Sequence, residues 1–340
     1  MTALSLSIVV PCYNEEKCLL ELHARLTRTA RSVAGDDYEI VLINDGSRDA
    51  SWEMMRKLAA DDARLLAINL SRNHGHQLAL TAGLDLCAGE RILIIDADLQ
   101  DPPELLPAMI AEMEARQADV VYAVRRARAG ETLFKKAAAK GFYRLLSKLA
   151  DIQIPVDTGD FRLMSRRALD ALLSLPEQAR FIRGMVAWVG FRQVPIAYDR
   201  AERLAGETNY PLRKMMRLAL DAVTGFSTAP LRMASHIGLW LVAASVLIFI
   251  YIGIGFFTGS AVEGWTSLML VVVVLGAVQM FVLGMIGEYL GRLYIEAKRR
   301  PLYIVSEIAG RAGGSPQLGH VAETIATKET PGGKGNRPSA

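Results

Sequence analysis

Cysteine is scarce in this chain: three residues, Cys12, Cys18 and Cys87, in 340, with no Cys-x-x-Cys pair. That excludes a disulfide framework and fits a reducing compartment. His74-Gly75-His76 with Cys87 lacks a fourth ligand at the spacing zinc needs. No Gly-x-Gly-x-x-Gly follows the first strand-like run and no Gly-Lys-Ser/Thr loop occurs, so neither a dinucleotide cradle nor a P-loop is expected. A net charge of +3 is too small to call for a nucleic-acid partner. There is also no basic leader: Met1-Thr2-Ala3-Leu4 runs straight into Leu6 to Val10. The first two-thirds are therefore expected to stay in the cytosol.

Apolar residues are plentiful, at 51% of the chain with a mean hydropathy of +0.21. The excess sits in two runs without Asp, Glu, Lys or Arg, from Met233 to Val262 and from Gly264 to Gly287, separated by Glu263. About 20 apolar residues cross a bilayer core, so each run is long enough to span. Arg213, Lys214, Arg217 and Arg232 precede the first run, and Arg292, Lys298, Arg299 and Arg300 follow the second. The positive-inside rule then predicts a multi-pass protein of the inner (cytoplasmic) membrane, both termini cytosolic. A buried helical hairpin of a soluble protein is the alternative. Gly276, Gly284, Gly287 and Gly291 supply small surfaces that would pack the two helices of one subunit or join copies into a homo-oligomer.

Before these runs, strand-like and helix-like segments alternate. Leu6 to Val10, Tyr38 to Ile43, Leu65 to Leu70, Arg91 to Ile95 and Asp119 to Val124 read as strands; Asn14 to about Ser32, Asp49 to about Ala60 and Gln77 to Cys87 read as helices. Such alternation predicts a Rossmann-like α/β domain with a doubly wound, mostly parallel sheet. Ligands then bind beyond the carboxyl ends of the strands, where Pro11, Tyr13, Glu15, Asp45, Asp96 and Asp98 should converge.

The stretch from Ile92 to Pro103 carries the strongest chemical signal. A buried apolar strand delivers Asp96 and Asp98 on one face of extended chain and is broken by Asp101-Pro102-Pro103. Two hard oxygen ligands plus the Gln100 amide suit Mg²⁺ or Mn²⁺, which take further ligands from substrate phosphates. Alone, an Asp-x-Asp equally suits two solvated acids at a strand end. Asp45 is placed to accept hydrogen bonds from a uracil or ribose, or to form an Asx turn. Arg125-Arg126-Ala127-Arg128 lies past a strand end and suits phosphate, or is a solvated loop.

Thr132 to Ala150 reads as an amphipathic helix, for core packing or for a membrane surface. In Val156-Asp157-Thr158-Gly159-Asp160-Phe161-Arg162-Leu163, Gly159 lets the backbone present Asp160, a candidate base or orienting carboxylate. Arg200 to Pro211 joins the α/β domain to the basic stretch Arg213 to Arg217, which suits a lipid phosphate or anionic lipids in general. Gly310 to Ala340 is rich in Gly, Pro and Ser and is expected to be disordered.

Taken together, these segments resemble the family 2 glycosyltransferases of GT-A fold. The likeness is to the polyprenyl-phosphate glycosyltransferases: bactoprenol glucosyltransferases above all, then dolichol-phosphate mannose synthase and the undecaprenyl-phosphate aminoarabinose transferases. It rests on Val9-Val10-Pro11-Cys12-Tyr13-Asn14-Glu15-Glu16, Asn44-Asp45-Gly46-Ser47-Arg48-Asp49, Asp96-Ala97-Asp98-Leu99-Gln100-Asp101-Pro102-Pro103, Gly159-Asp160-Phe161-Arg162-Leu163, Gly206-Glu207-Thr208-Asn209-Tyr210 and Gly287-Glu288-Tyr289-Leu290-Gly291-Arg292.

The resemblance implies inverting transfer of a sugar from a nucleotide diphosphate sugar to a polyprenyl phosphate on the cytosolic leaflet. Pro11, Tyr13, Glu15, Asp45 and Asp96 would hold the nucleotide, and Asp96, Asp98 and Gln100 a Mg²⁺ or Mn²⁺ ion. Asp160 would occupy the catalytic position, and Arg125 and Arg203 would lie near the acceptor phosphate, with Arg203, Arg213 or Lys214 to compensate for a cation missing at position 209. Relatives commonly carry Gly-Glu-Ser-Lys where this chain has Gly206-Glu207-Thr208-Asn209, so the cation expected at position 209 is missing. The implied layout is a GT-A domain over 1–210, an amphipathic juxtamembrane segment over 211–232, two transmembrane helices within 233–292 and a cytosolic tail over 293–340. Glucose from a UDP-sugar is the expected substrate, with mannose, aminoarabinose or N-acetylglucosamine as alternatives. A processive synthase is disfavoured because Gln178-Ala179-Arg180-Phe181 does not match its Gln-x-x-Arg-Trp motif. A non-catalytic membrane scaffold is the alternative of another class.

Overall fold

The computed structural model describes residues 4–125, 158–199, 229–257 and 264–310. Four of the expected strands form the centre of one sheet: β1 (Leu4–Cys12), β2 (Tyr38–Asn44), β3 (Leu65–Leu70) and β4 (Gly89–Ile94). All three pairings among them are parallel. β5 (Val120–Arg125), β6 (Thr158–Ser165), β7 (Gln193–Tyr198) and β8 (Val305–Gly310) complete the order β7-β5-β6-β4-β1-β2-β3-β8.

Alternation along the central strands builds two cores. Ile8, Val10, Ile40 and Leu42 face α1 (Leu19–Ala34), α2 (Ser51–Asp61) and α4 (Leu106–Ala115). Val9, Val41 and Ile43 face α3 (His76–Leu86), α5 (Arg166–Leu173) and α6 (Ile182–Trp188). Strand side chains alternate in direction, and here both directions are apolar because helices cover both faces.

The expected mostly parallel sheet is mixed, with four of its seven pairings parallel. β6 pairs antiparallel with both β4 and β5, and β8 pairs antiparallel with β3. The segment in which Gly159 was expected to present Asp160 is therefore a central strand. The first helix starts later than expected, at Leu19, because residues 14–18 are spent elsewhere. Asn14 adopts a positive φ of 56°, its N–H donates to Ser47 Oγ at 2.9 Å, and the Arg48 N–H donates to its Oδ1 at 2.8 Å. Glu15 and Glu16 N–H groups donate to Ser51 and Asp49. This lacing fixes the loop after β1 against the loop after β2.

After the sheet come α7 (Ala229–Phe257) and α8 (Trp265–Ala297), which pack against each other. Among the described residues one helical stretch is long and apolar enough to cross a membrane: Val271–Ala297, 27 residues with mean hydropathy 2.1. Two spanning helices were expected. α7 also exposes large apolar groups, including Leu239, Trp240, Leu247 and Tyr251. Added Cβ atoms at Gly276, Gly284, Gly287 and Gly291 would meet nothing within 4 Å.

The chain then returns to the sheet. β8 covers the edge of β3, with Ile308 opposite Ile68, and Trp52 Nε1 donates to Glu307 at 3.2 Å. Glu296 at the end of α8 accepts the Gln178 N–H at 2.8 Å, and Tyr303 donates to Asp85 at 2.9 Å. The expected helix over 132–150, Arg126 and Arg128, Arg203, Arg213, Lys214, the 206–210 motif, most of the juxtamembrane segment and the tail beyond 310 lie outside the described residues.

Candidate active site

Register brings the two key carboxylates together. Val9 pairs with Ile94, so Pro11 at the end of β1 lies beside the chain leaving β4. Ile94 pairs with Arg162 in the antiparallel β4–β6 ladder. Continuing that ladder two residues sets Asp96 alongside Asp160 at the carboxyl edge of the parallel strands.

Pro11, Tyr13, Glu15, His76, Asp96, Ala97 and Asp98 line an open cleft at this edge. Five are sequence candidates, and Ala97 is the small spacer between the acids. Tyr13 is 43% exposed, its ring free to meet a planar group. Asp96 Oδ1 is buried without a hydrogen bond. Burial, with the nearby Asp160, Asp101 and Asp98 charges, pushes the Asp96 carboxyl up to about 6 against the opposing pull of His76. A carboxyl oxygen with no hydrogen bond, and only His76 Nε2 at 3.6 Å, has room for a cation supplied from outside. After Asp98 the chain reverses through Leu99 (φ 59°), and the Gln100 N–H donates to Asp98 Oδ1 at 3.2 Å. Gln100 itself is buried and is not part of the cleft lining. Among the described residues, no three His, Cys, Asp or Glu side chains are grouped to hold a metal. Asp96 and Asp98 thus fit an ion that completes its shell with water and substrate oxygens, as Mg²⁺ and Mn²⁺ do.

Asp45 sits beside the cleft rather than in its lining. Its two carboxylate oxygens accept the N–H groups of His74 (2.7 Å) and Gly75 (3.0 Å), just before α3. Burial nevertheless raises its pKa above the ordinary value. Gly46 adopts φ +65°, and a Cβ there would lie 2.5 Å from the Asn73 nitrogen, so only glycine lets this loop cross so closely. Asp45 thereby places the first residues of α3.

Those residues, His76 and Gln77, were not singled out as site residues from sequence. His76 Nε2 lies 3.1 Å from Asp160 Oδ2 and 3.6 Å from Asp96 Oδ1. Burial depresses the imidazolium, but the Asp160 hydrogen bond and the Asp96, Asp160 and Asp45 charges outweigh it and raise its pKa. Gln77 Nε2 donates to Asp160 Oδ2 at 3.1 Å, while its Oε1 accepts the Ile182 N–H at 2.8 Å. Asp160 is 8% exposed, and Arg183 and Arg162 approach its Oδ1 at 3.5 and 3.8 Å. Burial pushes the carboxyl up, but the His76 hydrogen bond and the Arg183, Arg162 and His76 charges hold it well below the usual carboxylate range. The only sequence signal for His76 was the His-Gly-His run; nothing local marks Gln77 or Arg183.

Arg125, at the end of β5, donates through Nε to the Tyr198 hydroxyl at 3.4 Å. That hydroxyl donates in turn to Asp101. A Cβ on Gly159 would lie 3.4 Å from Arg125 Nη2, so Arg125 borders the Asp160 strand without joining the cleft lining.

The family model described as glycosyl transferase family 2 matches residues 7–173, which include every described carboxylate of this site. An uncharacterized glycosyltransferase, YkcC of Bacillus subtilis (strain 168), is 49% identical over 305 residues, covering 89% of this chain and 94% of that protein. A prophage bactoprenol glucosyl transferase homolog of Escherichia coli (strain K12) is 40% identical over 309 residues, 90% of this chain and 99% of that one. The bactoprenol glucosyl transferase of Shigella phage SfV is 39% identical over 303 residues, 89% and 98% respectively. With identity of this order over almost the whole length of these relatives and a GT-A-like mixed sheet, the chain belongs to glycosyltransferase family 2 and is a glycosyltransferase.

Proposed function

We propose that this enzyme transfers a sugar, glucose, from a UDP-sugar to the phosphate of a polyprenyl phosphate, with inversion, at the cytosolic face of the inner membrane. The observation that carries the acceptor is that about 40% identity extends over 98–99% of the length of proteins named for bactoprenol, and over 89–90% of this chain. Mannose, aminoarabinose and N-acetylglucosamine are the alternative sugars.

In this reading Tyr13 stacks on the nucleobase while Pro11 and Glu15 wall the nucleotide. Asp45 acts from behind, holding the loop that carries His76. Asp96 and Asp98, with Gln100 behind them, would hold a Mg²⁺ or Mn²⁺ ion, whose charge offsets that of the leaving diphosphate. An acceptor phosphate oxygen forms the bond to the anomeric carbon. The bond from that carbon to the diphosphate breaks, and its electron pair departs on the nucleoside diphosphate. A phosphate monoester has a second pKa of about 6, so the acceptor is mostly dianionic at neutral pH. Asp160, ionised and held by His76, Gln77 and Arg183, orients that acceptor or takes a residual proton. Arg125, Arg203, Arg213 and Lys214 gather the lipid phosphate; α7 and α8 span the bilayer; and the glycine faces of α8 serve the helix pair or a homo-oligomer.

The experiment is nucleoside diphosphate release by detergent-purified full-length protein with a donor panel. Release that requires both undecaprenyl phosphate and a divalent ion, and that EDTA stops, is the expected result. Release equal with and without the lipid overturns the acceptor; no release from any donor turns the reading toward a scaffold.

A further inference from the structure

Asp160 is surrounded by more positive charge than it needs. Arg162 is 3% exposed and is already committed: its Nε donates to the Asp160 carbonyl at 3.3 Å and its Nη2 to the Gly159 carbonyl at 3.2 Å. Arg183 is placed differently. It projects from α6, keeps 26% of its side chain exposed, and touches Asp160 Oδ1 through Nη2 at 3.5 Å, a long contact for a guanidinium–carboxylate pair. Its Nε is buried without a hydrogen bond. A guanidinium has five N–H donors, and among the described residues the one hydrogen-bond and ion-pair partner of this guanidinium is Asp160.

The charges are also arranged by side. Asp160 Oδ2 faces His76 and Gln77, toward the donor cleft; Oδ1 faces Arg183 and Arg162. Arg183 is not part of the donor-cleft lining. One carboxylate set against two permanent cations leaves a net positive charge on the side away from the nucleotide.

We infer that Arg183 is a phosphate-binding residue of the transfer site, and that its ligand is the phosphate monoester of the acceptor. The inference rests on the transfer reading above and adds a residue to it. A planar fork with donors to spare suits a tetrahedral dianion, and the contact to Asp160 aims the guanidinium beside the reacting oxygen. The donor diphosphate offers the same chemistry, and steady-state kinetics separates the two sources.

The test uses full-length wild type, Arg183→Gln and Arg183→Lys in detergent, with KM measured separately for undecaprenyl phosphate and for the nucleotide sugar. The expected result for Arg183→Gln is an acceptor KM raised about tenfold or more, as for a lost charged hydrogen bond, with Arg183→Lys in between. The donor KM should stay within about twofold of wild type. A raised donor KM with an unchanged acceptor KM assigns the residue to the diphosphate and overturns the inference. So does a loss confined to kcat, which marks a residue that only positions Asp160. If Arg183→Gln fails to fold, Arg183→Lys decides by the same criteria. Wild type that transfers nothing to the lipid overturns the transfer reading itself, an outcome distinct from the others.

Discussion

At the scale of single residues, the site keeps two carboxyl groups in opposite states. Asp96 is half-buried among like charges and rises to about 6, whereas Asp160 is hydrogen-bonded and ion-paired and falls below the carboxylate range. A raised Asp96 pKa means that the fold binds a proton more tightly than the unfolded chain, so this group's contribution weakens as pH rises from about 4 to 6. Asp96→Asn removes that unfavourable charge. Without divalent ions at pH 7.5 it should stabilise the protein by roughly 1–3 kcal/mol while lowering transfer at least about a hundredfold. Thermal unfolding and turnover of one preparation check both halves; a lower melting temperature would contradict the electrostatic account. Asp160 has the opposite sign: its ion pairs stabilise the fold above about pH 4 and are lost as pH falls through its depressed pKa. It stays ionised from pH 6 to 8, so Asp160→Asn should lower kcat by a similar factor, about tenfold to a thousandfold, at both ends of that range. A deficit seen only near pH 6 would instead make Asp160 a proton acceptor. Asp96 and Asp98 were legible in sequence because they follow an apolar run, and Asp160 because Gly159 presents it ahead of Phe161 and Leu163. Their partners His76, Gln77 and Arg183 were not, because contacts spanning 84, 83 and 23 positions are made by sheet register rather than by local pattern.

At the scale of elements, the parallel strands were readable because both their faces are apolar, and the helices between them because of their periodicity. β6 was hidden by its polar start, Thr158-Gly159-Asp160, which reads like a turn until it is placed between β4 and β5. β8 was hidden by position: it follows a long apolar helix, where a tail is the simplest expectation. Its pairing has a consequence. Leu66, Ala67 and Ile68 of β3 are almost wholly buried, and the edge they form is covered by a segment that follows α8. Ile308→Asp in the full-length protein should cost about 2 kcal/mol, roughly 4–8 °C in melting temperature, by setting a charge opposite Ile68. An unchanged melting temperature would mean that β8 contributes nothing to the sheet.

At the scale of the whole molecule, the catalytic sheet and the apolar helix are one piece. α8 feeds β8, and Glu296 at its end holds the backbone at Gln178, a few residues before the Ile182 and Arg183 that frame Asp160. The proposed acceptor, a lipid-linked phosphate, accords with a hydrogen bond that ties the end of the apolar helix to the segment leading into Arg183. The measurement that tests this most directly is the mass of the chloroform-soluble product made from a nucleotide sugar and undecaprenyl phosphate. The account predicts one hexose joined to the lipid through a single phosphate, because the acceptor's own phosphate oxygen takes the anomeric carbon. A product with two phosphates would show transfer of a sugar phosphate, and a water-soluble product alone would show another acceptor; either would contradict it.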